Sequence, residues 1–81
     1  MRLKILYFAS ARDVAGKRGE LLSVDGETTI SELAIRLEDM HPGLKSLRKA
    51  IRYAVNLEVV EGDIALHDGD EVGVLPAVTG G

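Results

Sequence analysis

Residues 28–43 read TTISELAIRLEDMHPG, and the reading of this stretch decides the architecture. Thr29 and Glu32 stand at capping-box spacing, in which a hydroxyl takes one of the orphan N–H groups of a first helical turn. Ile30, Leu33, Ala34, Leu37 and Met40 then recur at helical intervals, which predicts an amphipathic helix with one apolar stripe. Pro42 lacks an N–H and clashes with a preceding turn, so the helix is expected to stop around residues 39–41. One such stripe needs a sheet to cover.

The flanking segments supply the strands. RLKILYFA (2–9) is rich in β-formers, with Leu3, Ile5 and Tyr7 on one face and Leu6 and Phe8 on the other, as in a strand buried partly on both faces. SARDVAG follows, offering Ser10 as an N-cap and Gly16 as a stop for one short helical turn before a second strand near residues 20–24. Beyond the main helix, residues 43–52 have weak periodicity and read as a short helix or an irregular connection. YAVNLEVV (53–60) reads as one strand with Tyr53, Val55 and Leu57 on one side, turned by the EGD of residues 61–63. HDGDE (67–71) is a turn, and EVGVLP (71–76) is a last strand whose regular pairing should end at Pro76. Strand, strand, helix and further strands make an α+β domain with one main helix on one face of a mixed sheet.

The 81 residues are enough for one modest core, and 46% hydrophobic with 28% charged residues is ordinary for a globular domain. Cysteine is absent, which removes disulfides, thiolate metal sites and a cysteine nucleophile. The N-terminal apolar run is interrupted by Lys4 and falls far short of the ~20 residues of a membrane span, so the chain reads as cytoplasmic, with no membrane partner. A net charge of −3 argues against nucleic acid as the main partner. The charge is uneven: residues 1–52 carry +3 and residues 53–81 carry −6. On this pattern an acidic half would steer the C-terminus toward basic partner surfaces.

The chain closes on PAVTGG (76–81), and two terminal glycines add nothing to a core. Extended at ~3.3 Å per residue, these residues reach about 20 Å, far enough to enter a cleft on another protein. The domain is therefore read as residues 1–75, with 76–81 an extended flexible tail. Glycines lack Cβ, so they fit a narrow channel, and they leave the terminal carboxylate sterically open. That carboxylate, with a reference pKa of about 3.5, is ionised and a poor electrophile. Acyl chemistry at Gly81 thus requires activation by a second protein, for example to an acyl adenylate.

FASARDVAG (8–16), AVN (54–56) and DGDEVGVLPAVTGG (68–81) together resemble the small subunit of molybdopterin synthase, a ubiquitin-like sulfur carrier of the β-grasp fold. The resemblance implies first and last strands that are parallel neighbours crossed by the helix. It further implies that a ubiquitin-activating-like enzyme uses ATP to adenylate Gly81, which becomes a thiocarboxylate. Val78, Thr79 and Gly80 would enter the large synthase subunit, Leu75 and Pro76 would dock at the base of the tail, and sulfur would pass to precursor Z, cyclic pyranopterin monophosphate. The chain would be a non-catalytic subunit of a heterotetramer with no tightly bound cofactor. Where the family often has aromatics before the proline and a second proline after it, this sequence has Val74-Leu75 and Ala77.

Other residues have plainer readings. His41 and His67 are two isolated histidines, read as solvated or capping, and no metal is assigned. Asp68, Asp70 and Glu71 lack the remaining ligands of a calcium loop and read as a turn. Arg12 matches the family pattern, with surface pairing and partner contact both open. Asn56 reads as structural, bonding local backbone where a strand bends. Besides the synthase role, a thiamine-pathway sulfur carrier, a ubiquitin-like tag joined to lysines through Gly81, and a non-covalent interaction domain remain open.

Overall fold

The computed structural model describes residues 1–76. Its first strand, β1 (Arg2–Tyr7), runs antiparallel to β2 (Gly19–Ser23) on one side and parallel to β5 (Glu71–Pro76) on the other. β5 also pairs antiparallel with β3 (Ile51–Val55), and β3 with β4 (Glu58–Val60), giving the order β2-β1-β5-β3-β4. Alternation sets the core: Leu3, Ile5, Tyr7, Val72 and Val74 point inward and are at most 1% exposed. The expected β-grasp arrangement, with a helix on one face of a mixed sheet, is borne out. No helix among the described residues is long and apolar enough to cross a membrane.

The main helix, α2 (Ile30–Met40), starts as its capping box requires, with the Thr29 side chain accepting from the Glu32 N–H. Asp63 adds a second cap by accepting from the Ser31 N–H at 2.9 Å. Ile30, Leu33 and Leu37 are buried as read, but Met40 is 39% exposed and Glu38 takes its place inside. Glu38 is tolerated there because Arg48 forks onto it, Nε donating to one oxygen at 2.8 Å and Nη2 to the other. These bonds hold the Glu38 carboxyl below its ordinary range even though burial opposes them. Burial, and then the nearby Glu38 charge, push the Tyr53 phenol up to about 12.

Three local expectations are corrected. The short helix α1 (Ala9–Ala15) is capped by the backbone of Phe8, not by Ser10. Phe8 donates its N–H to Val74 while its carbonyl accepts from Ala11 and Arg12, so the helix springs directly from the strand and Ser10 already lies inside its first turn. Residues 53–60 form a hairpin rather than one strand, because Asn56 and Leu57 take left-handed φ of 50° and 74° between β3 and β4. Residues Pro42–Ala50 form a 3₁₀ helix, after which β3 begins at Ile51, two residues earlier than expected. The stop at Gly16 is as read: its φ of 73° caps α1 in the left-handed form.

A polar clamp that the sequence did not reveal ties β1, β2 and α2 together. Glu20 accepts from the Tyr7 hydroxyl at 2.5 Å and from His41 Nε2 at 2.7 Å, with Lys17 Nζ at 3.6 Å. His41 caps the C-terminus of α2, the capping role read for it, with its N–H donating to the Leu37 carbonyl at 2.8 Å, and its ring is turned inward to meet that of Tyr7 edge-on at 5.4 Å. Burial alone would raise the Glu20 pKa, but the bonds from Tyr7 and His41 outweigh it and hold the carboxyl below its ordinary value. Burial and the same carboxylate drive the Tyr7 phenol well above its usual range.

Two outcomes are expected. A leucine at left-handed φ carries a Cβ clash of about 1–2 kcal/mol that glycine lacks, so Leu57→Gly should raise stability by about 1 kcal/mol, read as a higher urea midpoint at unchanged slope. Glu20→Gln should lose about 1.5–3 kcal/mol at neutral pH, the range for a bond to a charged group. Because the folded-state pKa of Glu20 lies below the unfolded one, the unfolded state binds more protons. Its contribution is therefore present above about pH 4.5 and fades as pH falls through the lowered folded-state value. Urea midpoints of the two proteins should converge below that pH, and a constant gap down to pH 3 would contradict the clamp.

Candidate functional site

The alternation that fills the core leaves a second set of side chains on the opposite face of the sheet. Leu6 on β1, Gly73 and Leu75 on β5, Ala54 on β3 and Val59 on β4 share that face. Together with Phe8 and Leu57 they line a groove of about 210 Å³, with Glu71 at its edge. This is smaller than the roughly 300–1,000 Å³ of pockets that enclose drug-sized ligands, and it suits side chains of another protein.

Two features keep the groove open. Gly73 sits at its floor, where a Cβ would stand 3.4 Å from Phe8 Cε2 and 3.7 Å from Ala54 Cβ. A larger side chain would therefore fill the space. At the rim Leu57 is 90% exposed and Val59 58% exposed, so the hairpin turn holds an apolar residue in water in a backbone form that favours glycine. Such a residue contributes nothing to the core and raises the apolar surface available for docking.

The parallel ladder sets where the chain leaves this face. Leu75 borders the groove opposite Arg52, and Pro76 stands opposite Ile51 as the last residue of β5. The docking pair read from the sequence is thus brought together with the groove. Val78, Thr79, Gly80 and Gly81 lie outside the described residues. Sequence reading missed Phe8, Leu57, Val59 and Gly73 as one surface; the alternation of β1 was legible, but Leu57 and Val59 join it only through the unrecognised hairpin.

Asp68, Asp70 and Glu71 stand where β5 begins, at the opposite end of the strand from Pro76. Asp68 and Asp70 bind the turn before the strand, as read: Asp68 accepts from the Arg2 N–H at 2.6 Å, and Asp70 accepts from the His67 N–H at 2.8 Å and from Asn56 Nδ2 at 2.9 Å; Glu71 is instead the first residue of β5. Asn56 returns a bond by accepting from the Glu71 N–H, the structural role read for it. Arg12 donates Nε to the Tyr7 carbonyl at 3.2 Å. No group of three or more potential metal ligands occurs among the described residues.

Known proteins share this arrangement. The human molybdopterin synthase sulfur carrier subunit is 40% identical over 83 aligned residues, spanning 99% of this chain and 94% of its own. The crystal structure of small archaeal modifier protein 1 from Haloferax volcanii superposes with a TM-score of 0.82 at 29% identity, covering 95% of this chain and 98% of that one. In a complex of subunits 1 and 2 of the Helicobacter pylori molybdopterin-converting factor, one chain has the same fold, with a TM-score of 0.73 at 23% identity and full coverage of both chains. The ThiS family model matches residues 5–81, from the middle of β1 through the final glycine. With that match and full-length relatives in agreement, the chain belongs to the ThiS family.

Proposed function

We propose that this chain is the sulfur-carrier subunit of a molybdopterin synthase and that Gly81 carries the sulfur. The observation that supports this most directly is the course of β5. Its parallel run beside β1 brings the chain to Pro76 at the border of an uncovered apolar face, in a sequence 40% identical to a named sulfur carrier subunit. The folded body is then a handle, and the residues after Pro76 deliver a reactive end.

The chemistry assigned to Gly81 follows from its carboxylate. A carboxylate oxygen attacks the α-phosphate of ATP on an activating enzyme, pyrophosphate leaves, and an acyl adenylate forms. Sulfur at the oxidation level of hydrosulfide then displaces AMP to give the thiocarboxylate. In the large subunit the sulfur passes to precursor Z, and an oxygen from water restores the carboxylate. Gly80 supplies clearance for passage, Thr79 and Val78 line the inserted segment, and Leu75 with Pro76 docks beside the groove. The large subunit supplies the catalytic groups, and the adenylating enzyme supplies the ATP site.

Small archaeal modifier protein 1 shares the fold, so an isopeptide bond from Gly81 to a lysine is the competing use of the same activated end. Intact mass after incubation with ATP, a sulfur source and the adenylating enzyme separates the two. Replacement of one oxygen by sulfur is expected, whereas adducts on other proteins would favour a modifier and an unchanged mass would refute both. Deleting Gly81 should abolish sulfur transfer with no change in the urea midpoint, since no core burial is lost. Leu57→Gly should weaken binding to the large subunit while the protein itself is more stable, a combination that a merely structural Leu57 would not give.

A further inference from the structure

Charge is segregated along the direction of β5. Its starting end carries Asp68, Asp70 and Glu71 beside Arg2 and Lys4 of β1, with Lys4 at 4.0 Å from Glu71. Its leaving end is cationic. Arg52 stands opposite Leu75 on the groove face, and Lys49 lies in the last turn of the 3₁₀ helix just before β3. Both are exposed, and neither forms an ion pair with an acidic side chain among the described residues, unlike Arg48, which is committed to Glu38.

This placement comes from topology and runs against the order of charge in the sequence. Glu58, Asp68, Asp70 and Glu71 lie at the end where β5 begins, Glu61 follows β4 one residue beyond the Tyr53–Val60 pair, and β5 carries the chain across the molecule to the end where residues 49–52 enter β3. An apolar groove bordered at one end by cations that form no ion pair among the described residues fits a surface of matching form, apolar at its centre and acidic at the rim nearest the entry channel. Complementary rims of this kind orient encounter and raise association rates more than they raise affinity.

We propose that Lys49 and Arg52 form a cationic border at the exit of β5 that docks against an acidic rim on the protein receiving the C-terminus, and that this contact sets the direction of approach. The inference rests on the sulfur-carrier reading and adds the chemistry of the partner surface. It places positive charge at the docking edge, where the bare sequence pointed to negative charge.

The test is the association rate of the full chain with the large molybdopterin synthase subunit of the same organism, measured by stopped flow at about 0.02 M and about 0.3 M ionic strength, where screening differs severalfold in range. The rate should fall with salt. The double variant Lys49→Glu/Arg52→Glu should associate at least about tenfold more slowly at low salt, with rates converging at high salt. Arg36→Glu changes charge in the same sense on α2, beside Ser23 and away from the groove, and should alter the rate less than about twofold. Urea midpoints confirm that each variant is folded.

A salt-independent rate with normal binding, or an equal effect from Arg36→Glu, overturns the cationic border and leaves the carrier reading standing. Absence of binding at any salt removes both. If the double variant associates normally but raises the KM for ATP during adenylation, the two cations serve the nucleotide, and the proposal of an acidic protein rim is wrong.

Discussion

The parallel ladder between the first and last strands is the constraint on which the rest depends. Parallel strands cannot be joined by a tight turn, so everything between β1 and β5 must serve as a crossover, and α2 with the 3₁₀ helix fills that role on one face only. Pairing β5 at the centre buries Val72 and Val74 completely, each worth roughly 1.5–3 kcal/mol of apolar transfer. The same central position is unusual ground for a strand that leads out of the domain. It means that β5 is anchored in the core itself, held by the ladder to β1 on one side and the ladder to β3 on the other.

The covered face is closed by two carboxylates, each matched to a specific set of donors. Glu20 collects Tyr7, His41 and Lys17, and Glu38 collects the fork of Arg48. Carboxylates withdrawn from water are costly when unpaired, and these two, one buried and one half-buried, join elements distant in sequence. The gain is definition of register. Glu20 lies opposite Ile5, and only that pairing brings its oxygens to the Tyr7 hydroxyl and to the end of α2.

What the sequence disclosed and what it withheld follow the range of the interactions. The capping box at Thr29, the stop at Gly16 and the alternation of Leu3, Ile5 and Tyr7 are local patterns, and each appears in the structure where it was read. The hairpin at Asn56-Leu57 was hidden because leucine occupies a position where the turn chemistry favours glycine. Met40 was read inward because nothing in the helix itself reveals that Arg48, ten residues on, makes Glu38 the better buried neighbour. The Glu20 clamp was hidden for the same reason: His41 looks isolated until α2 is laid across the sheet. For the site, Leu75 and Pro76 were legible through family resemblance, whereas the groove beside them required the pairing of four strands. The terminal residues were assigned from their chemistry and that resemblance alone.

The two faces of the sheet obey different rules, and the contrast is itself an argument about function. On the covered face local preference and packing agree, as expected of a sequence that specifies one fold. On the open face they conflict: a leucine takes a left-handed turn position in water, a glycine interrupts the central strand, and an aromatic ring rests 38% exposed above it. A glycine within a strand costs roughly 0.5–1 kcal/mol relative to alanine, and alanine here would crowd Phe8 by only a few tenths of an ångström. Stability alone would favour glycine at 57 and a side chain at 73. The chain has the reverse at both positions, and both departures enlarge the same apolar groove beside the strand that leads to Gly81. These two departures therefore share the open groove face, and the covered face is left to hold the fold.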